Sequence, residues 1–229
     1  MHGSTFFPLV ADWSSSEFHL ALKNLILADP AKCDSPQLSG DMQSPENMKE
    51  WVRLFGALDL ALLTGNLVAE LVDPEKMARY RELKEKLTER DLHDGPAHFL
   101  TLHSSTWTNI AVHANQLPSL PHKDGLSSHL GADQIFPFGP FQGCNLALPH
   151  LGVRVRLDPL DFCIIQGAAL WHHMYKWEGT GHFVVVPFSD HHLFPYSRVK
   201  RPTNPLPLLG EFWTELRAHH PAMPLPTFR

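Results

Sequence analysis

The sequence predicts an α+β fold in which helices come first and a β-rich core follows. Apolar residues recur at helical spacing from Pro45 to about Leu71, and Asp73-Pro74 then starts a second, more polar helix. After Gly95-Pro96 the chain changes to short segments rich in β-branched and aromatic residues, with Pro and Gly between them. Short strands at such intervals are typical of a sandwich or jelly roll. We therefore predict a double-stranded β-helix (jelly-roll or cupin-like) core with the N-terminal helices packed on one sheet.

Five segments of the β-rich part are predicted to be strands. In the segment 153–157, apolar residues alternate strictly with Arg154 and Arg156, so that one face of the strand is apolar and both arginines point the other way. The predicted strands are Phe99 to Leu102, Trp107 to His113, Gly152 to Leu157, Phe162 to Gln166 and His182 to Phe188.

The same patterns divide one compact domain into three regions. Residues 1–95 form a helical support region, which includes a short helix over Glu17 to Leu27. Residues 96–197 form the jelly-roll core. Residues 198–229 form a Pro-rich tail, with a short helix around Leu209 to His219.

Composition argues against several classes of protein. The formal net charge of −5 gives no strong signal for nucleic acid, because phosphate contacts need clustered Lys and Arg. The three cysteines are widely spaced and show no CxxC pattern, so neither a disulfide framework nor a cysteine-rich zinc site is indicated. The apolar stretch from Leu54 to Val72 is interrupted by Asp59, Asn66 and Glu70, which predicts a core-facing helix and no membrane span.

The N-terminus lacks the basic-then-apolar order of a signal peptide. Together with the cysteine pattern, this predicts a soluble intracellular protein of the cytoplasm or nucleus.

Histidine is unusually frequent, with sixteen residues, and two histidines are candidate metal ligands. His122 and Asp124 are two positions apart in a segment predicted to be extended, where such side chains project to the same side. His172 follows an apolar, strand-like run and could complete a set of two imidazoles and one carboxylate, which leaves coordination positions open on iron. His173 is the alternative to His172, since the doublet allows an error of one residue.

The order and spacing of several motifs resemble the Tet/JBP branch of 2-oxoglutarate and Fe(II) dioxygenases, especially its small fungal-type members. The resemblance covers roughly residues 70–195 and implies a jelly roll with iron on His122, Asp124 and His172. The matching motifs, besides the HxD at His122, are Phe138 to Gly143, Leu146 to Gly152, Leu157 to Asp161 and Gly179 to His182.

The chain departs from this family where the co-substrate would bind. Family members hold the distal carboxylate of 2-oxoglutarate with an Arg and a Ser, and the corresponding positions here read Gly181 and Phe183. Another cation could take the role, and candidates are Arg154, Arg156, Lys176 and His182. Alternatively, the enzyme uses iron and O₂ without 2-oxoglutarate, or the chain is a degenerate relative that binds a ligand and catalyses nothing.

The leading hypothesis is a mononuclear non-haem iron oxygenase that oxidises or hydroxylates a small molecule or a modified nucleobase, with O₂ as its partner and Fe(II) as its cofactor. A jelly-roll protein that only binds a ligand or a partner is the rival from another class. A zinc hydrolase on the same three ligands is a third possibility, which the absence of an obviously placed Glu base disfavours.

Overall fold

Two long helices precede a set of mostly antiparallel strands in the computed structural model, which describes residues 45–90, 99–115 and 118–203 together with the short pairs 26–27 and 37–38. The helices are α1 Pro45–Val72, α2 Pro74–Arg90 and, after the last strand, the short α3 Leu193–Ser197. The strands are β1 Ile26–Leu27, β2 Gln37–Leu38, β3 Asn109–Ala114, β4 Asp133–Phe138, β5 Phe141–Gln142, β6 Asn145–Leu148, β7 Val153–Arg156, β8 Cys163–Ile165, β9 His173–Met174, β10 Glu178–Gly179 and β11 Phe183–Phe188.

The boundary between α1 and α2 lies at Asp73, as the sequence predicts. The Asp73 N–H donates to the Ala69 carbonyl at the end of α1, and its side-chain Oδ1 accepts the Lys76 N–H at 2.9 Å. A carboxylate that caps the first turn stabilises a helix, and Pro74 at the first helical position has no N–H to satisfy. One Asp-Pro pair therefore both ends α1 and starts α2.

Two antiparallel sheets form the jelly-roll core. The larger sheet has the strand order β3-β11-β4-β8, and the smaller has the order β7-β6-β9. The chain passes between the two sheets several times, for example from β7 in the smaller sheet to β8 in the larger one and back to β9. Strands that are distant in sequence, such as β3 and β11, are therefore hydrogen-bonded neighbours. This architecture confirms the predicted α+β class with a cupin-like core.

The larger sheet buries both of its faces. Ile110 and Val112 of β3, with Val185 of β11, belong to the core shared with the helices, where they join Phe55 and Leu62 of α1. Neighbouring residues on the same strands face the smaller sheet, because successive side chains of a strand point to opposite faces. The helices therefore pack on one sheet, as predicted, and the space between the two sheets stays separate from the helical core.

The predicted strand over Phe99 to Leu102 is wrong. Residues 99–101 are helical, and the Leu102 N–H donates to the Phe99 carbonyl at 3.0 Å. Phe99 and Leu100 are both almost completely buried, which a turn allows and a strand with one covered face does not. Local composition is strand-like, but the backbone bond from Leu102 to Phe99 closes a helical turn in which both side chains are buried.

Strand β4 was not predicted as a separate strand, because all six of its residues are buried and period-two alternation is absent. The predicted helix Glu17 to Leu27 lies outside the described residues except for Ile26–Leu27, which pair with Gln37–Leu38 as strands. The predicted helix Leu209 to His219 lies wholly outside the described residues.

By length and composition alone, α1 is apolar enough to cross a membrane between Lys49 and Val72. Core helices pass the same test, and one side of α1 is buried through Trp51, Phe55, Leu58 and Leu62. The length and composition of α1 are therefore only weak evidence for a membrane span. The cytoplasm or nucleus stays a prediction.

We expect the stability of the fold to fall in acid partly because of His103. Burial against the Phe55 and Phe99 rings, followed by the nearby positive charge of Lys84, lowers the pKa of His103 from 6.5 to about 3. Below about pH 6.5 the unfolded chain takes up a proton that the folded chain refuses until about pH 3, so stability is lost as pH falls through this window. In His103→Phe, the slope of unfolding free energy against pH between about 6 and 4 should decrease by up to about 1.4 kcal/mol per pH unit.

Denaturant unfolding at several pH values measures this slope. His129→Phe, at an exposed position, is the matched control. An unchanged slope in His103→Phe would contradict the assignment.

Candidate metal centre

Two distant segments of the chain meet at His122 and His172. The His122 N–H donates to the His172 carbonyl and the His172 N–H donates to the His122 carbonyl, both at 3.0 Å. A further backbone bond joins the Asp124 N–H to the Gly167 carbonyl at 3.0 Å. The His122–His172 pair is an isolated antiparallel bridge just before β9, and together these bonds fix the register between the two segments. Backbone pairing therefore positions all three candidate ligands.

The three candidate side chains converge on one point. His122 Nε2 lies 3.7 Å from Asp124 Oδ1, and His172 Nε2 lies 3.5 Å from Asp124 Oδ2. One ligand atom from each residue lies within 4.8 Å of the others, which is the spacing that a single cation needs. The structure thus brings together the three residues that the sequence singled out.

Both imidazoles direct Nε2 toward Asp124. His122 Nδ1 lies 2.8 Å from the Leu120 carbonyl and His172 Nδ1 lies 3.0 Å from the Leu170 carbonyl. A carbonyl can only accept, so each Nδ1 carries the hydrogen, and in the neutral form of each ring the lone pair lies on Nε2. Carbonyl partners of this kind are the usual means of orienting a metal-binding histidine. The donor set fits a divalent metal of the iron or zinc type.

The centre is open on one side. The His172 side chain is 7% exposed, whereas the His122 side chain is 46% exposed and that of Asp124 is 32% exposed. His173 points elsewhere, with its ring 4.8 Å from the Tyr175 ring. Of the histidine doublet, His172 therefore faces the centre, and a ligand can approach from the side of His122.

A cavity of about 290 Å³ extends from this centre between the two sheets. Its size suits a small molecule. Apart from the three candidate ligands, its polar lining is His113, Ser119, Ser127 and Asp133. Most of the wall is aliphatic and includes Ile135, Leu146, Ile165, Met174, Val184 and Val186.

Asp133 is a second carboxylate at this site that sequence analysis missed. It is 2% exposed, and its Oδ2 has no hydrogen-bond partner among the described residues. Burial, followed by the charge of Asp124, raises the pKa of Asp133 well above its usual range, although hydrogen bonds from Ser127 and Gly167 partly oppose the shift. The available signal was an acidic residue at the start of the segment DQIFPF, whose last four residues are apolar.

The residues expected near a 2-oxoglutarate carboxylate lie elsewhere. Phe183 packs against the helix-side core, and the β11 residues that line the cavity are Val184, Val186 and Phe188. His182 is buried with its ring against those of Phe141 and Trp177, and burial lowers its pKa to about 4.

The other cation candidates do not reach the cavity either. The Arg154 guanidinium lies 4.4 Å from the Tyr175 ring centroid, and Arg156 pairs with Asp158 on the exposed face of β7. Gly181 and Lys176 are likewise absent from the described lining of the cavity. Among the described residues, the cavity lining therefore offers no Arg or Lys for a ligand carboxylate.

A second group, Asp190, His191 and His192, also brings three ligand atoms within 4.8 Å of one another. Hydrogen bonds within the protein already hold these side chains. Asp190 Oδ1 accepts the His192 N–H at 2.8 Å just before α3, and His191 Nδ1 pairs with the Leu126 carbonyl at 3.0 Å. We therefore assign this group a structural role at the start of α3.

No protein-family model and no curated protein matches the sequence. Among solved structures, the chain is similar to NgTET1 in complex with 5mC DNA, with a TM-score of 0.56 and 14% identity over 87% of this chain and 68% of that chain. A cupin-2 domain protein from Shewanella frigidimarina matches with a TM-score of 0.26 and 6% identity, over 34% of this chain and 66% of that one. At 14% identity, the likeness to NgTET1 supports a Tet-like fold alone.

Gly167 should be required for the geometry of the centre. A Cβ at this position would collide with Oδ2 of Asp124 and Oδ2 of Asp133. We expect Gly167→Ala to displace the Asp124 carboxylate and to weaken metal affinity by at least about tenfold, as changes to groups that orient ligands commonly do. Titration of chelator-treated protein with Co(II) measures this affinity. Gly56→Ala is the matched control, since a Cβ there meets nothing within 4 Å; equal affinities in the two variants would contradict the role of Gly167.

Proposed function

We propose that this protein is a mononuclear non-haem iron oxygenase, in which His122, Asp124 and His172 hold the metal. The proposal rests on one observation: two imidazoles present their Nε2 atoms beside a carboxylate, at the open end of a cavity. Such a set of two histidines and one carboxylate leaves coordination positions free for O₂ and for a substrate. A Tet-like fold is consistent with this function.

A ferrous ion at this centre would supply the redox chemistry that activates O₂. The protein's own residues would orient the metal and exclude water. The carbonyls of Leu120 and Leu170 hold the two rings in one tautomer, and the backbone bond from Asp124 to Gly167 fixes the carboxylate. The aliphatic walls keep bulk water from the reacting part of a bound substrate.

The proposed substrate is a small organic molecule, which is oxidised or hydroxylated. NgTET1 was solved with 5mC DNA, and a modified nucleobase is the corresponding alternative here. Recognition of a flipped base requires stacking side chains and phosphate contacts. The cavity wall is mainly aliphatic and the chain is acidic, which favours the small molecule.

A zinc hydrolase is the second candidate, because Asp133 adds a carboxyl group beside the three ligands. Zinc held by two histidines and one carboxylate activates a water molecule, and a neighbouring carboxylate can accept its proton. The metal that the protein binds separates the two candidates.

Metal analysis of protein purified without chelators tests the proposal. We expect close to one iron per chain in the wild-type protein and a reduction of at least about tenfold in His122→Ala and His172→Ala, since each removes a direct ligand. His173→Ala is the matched control and should keep its metal, because its ring faces Tyr175.

Stoichiometric zinc in place of iron would favour the hydrolase. Normal metal content in His122→Ala would overturn the ligand assignment. For protein that carries iron, substrate-dependent consumption of O₂ by an electrode assay tests oxygenase activity. Absence of metal binding in folded wild-type protein would leave only a ligand-binding function.

A further inference from the structure

The ionisable groups of the cavity lining, apart from its histidines, are two carboxyl groups. Asp124 and Asp133 contribute carboxyl groups, and no Lys or Arg among the described residues lines the cavity. With no Lys or Arg in this lining, an anionic ligand would find no side-chain counter-charge from either residue type beside these two carboxyl groups. Burying a further carboxylate without a counter-charge is unfavourable in a low-dielectric site.

The register of β11 places apolar side chains, and no Arg or Lys, on the cavity side of this strand. Val184 and Val186 point into the cavity, because Phe183 and Val185 point toward the helices. The opposite wall, on β3, presents Ala111 and His113. Away from the candidate ligands, the cavity therefore offers a mainly apolar surface, most of it aliphatic, to whatever binds there.

One polar group in the cavity needs a partner. Asp133 Oδ2 is buried and makes no hydrogen bond to any described residue, which is costly for a carboxyl oxygen. Ser119, by contrast, already accepts the Met174 N–H at 3.0 Å through its Oγ. A ligand that donates a hydrogen bond to Asp133 would satisfy the unpaired oxygen.

We infer that the cavity binds an uncharged or positively charged aliphatic molecule that carries an O–H or N–H donor for Asp133, and that it excludes 2-oxoglutarate and other dicarboxylates. This inference names the ligand class of the site in the proposed function and rests on that function for its catalytic meaning. The selectivity itself depends only on the cavity.

A matched set of ligands tests the selectivity in metal-free protein, independently of iron. 1-Hexanol, methyl pentyl ether and hexanoate have similar aliphatic bodies, but only the alcohol is an uncharged hydrogen-bond donor. Calorimetry or ligand-observed NMR should show that hexanol binds at least about tenfold more tightly than either of the others, a ratio that corresponds to about 1.4 kcal/mol. Equal binding of the alcohol and the ether, or tighter binding of hexanoate, would overturn the inference.

Asp133→Leu should remove the preference for the alcohol over the ether, because it removes the acceptor and keeps the branched shape of the side chain. Near-ultraviolet circular dichroism checks that the variant is folded. If it does not fold, the wild-type comparison among the three ligands decides alone. A preference that persists in folded Asp133→Leu would contradict the role of Asp133.

The exclusion of 2-oxoglutarate is tested on protein loaded with Fe(II) without oxygen. We expect no visible metal-to-ligand charge-transfer band at millimolar 2-oxoglutarate, although iron binding itself is measured as one ion per chain. Appearance of the band would overturn the inference and leave the iron centre standing. Failure to bind iron would instead overturn the proposed function, while the ligand preference of the metal-free protein would still be measurable.

Discussion

The candidate site depends on one backbone pairing, the two reciprocal hydrogen bonds between His122 and His172. They join segments that are far apart in sequence and leave both rings free to turn toward Asp124. The Nδ1 bonds to the carbonyls of Leu120 and Leu170 come from the same two segments. The same two segments therefore set both the position and the tautomer of the two histidine rings. A shift in this pairing would disturb both.

The larger sheet separates two environments that serve different purposes. Its helix-side face completes a core of large aromatic and aliphatic side chains, which stabilises the fold. Its other face lines the cavity with smaller aliphatic groups and a few polar ones. Because side chains alternate, a single residue step decides whether a side chain contributes to stability or to binding. Phe183 and Val184 are neighbours in sequence and lie on opposite sides of this division.

The paired carboxyl groups give the site its chemical character. Asp124 and Asp133 approach each other across Gly167, where a Cβ would displace their carboxyl oxygens. A protein that bound a dicarboxylate would need a cation nearby, and the described lining of the cavity has none from Lys or Arg. The same arrangement that would hold a divalent metal therefore disfavours the co-substrate used by the family that the sequence resembles.

The sequence by itself determined the helices, the change to a β-rich core and the closeness of His122 to Asp124, because these follow from local periodicity and spacing. It also pointed to His172, although only the backbone bridge shows that this residue, and not His173, faces the centre. Tertiary structure alone decided the role of Asp133, the need for Gly167 and the direction of Phe183. Each of these depends on which distant strand lies opposite, and pairing between distant strands leaves no local pattern in the chain.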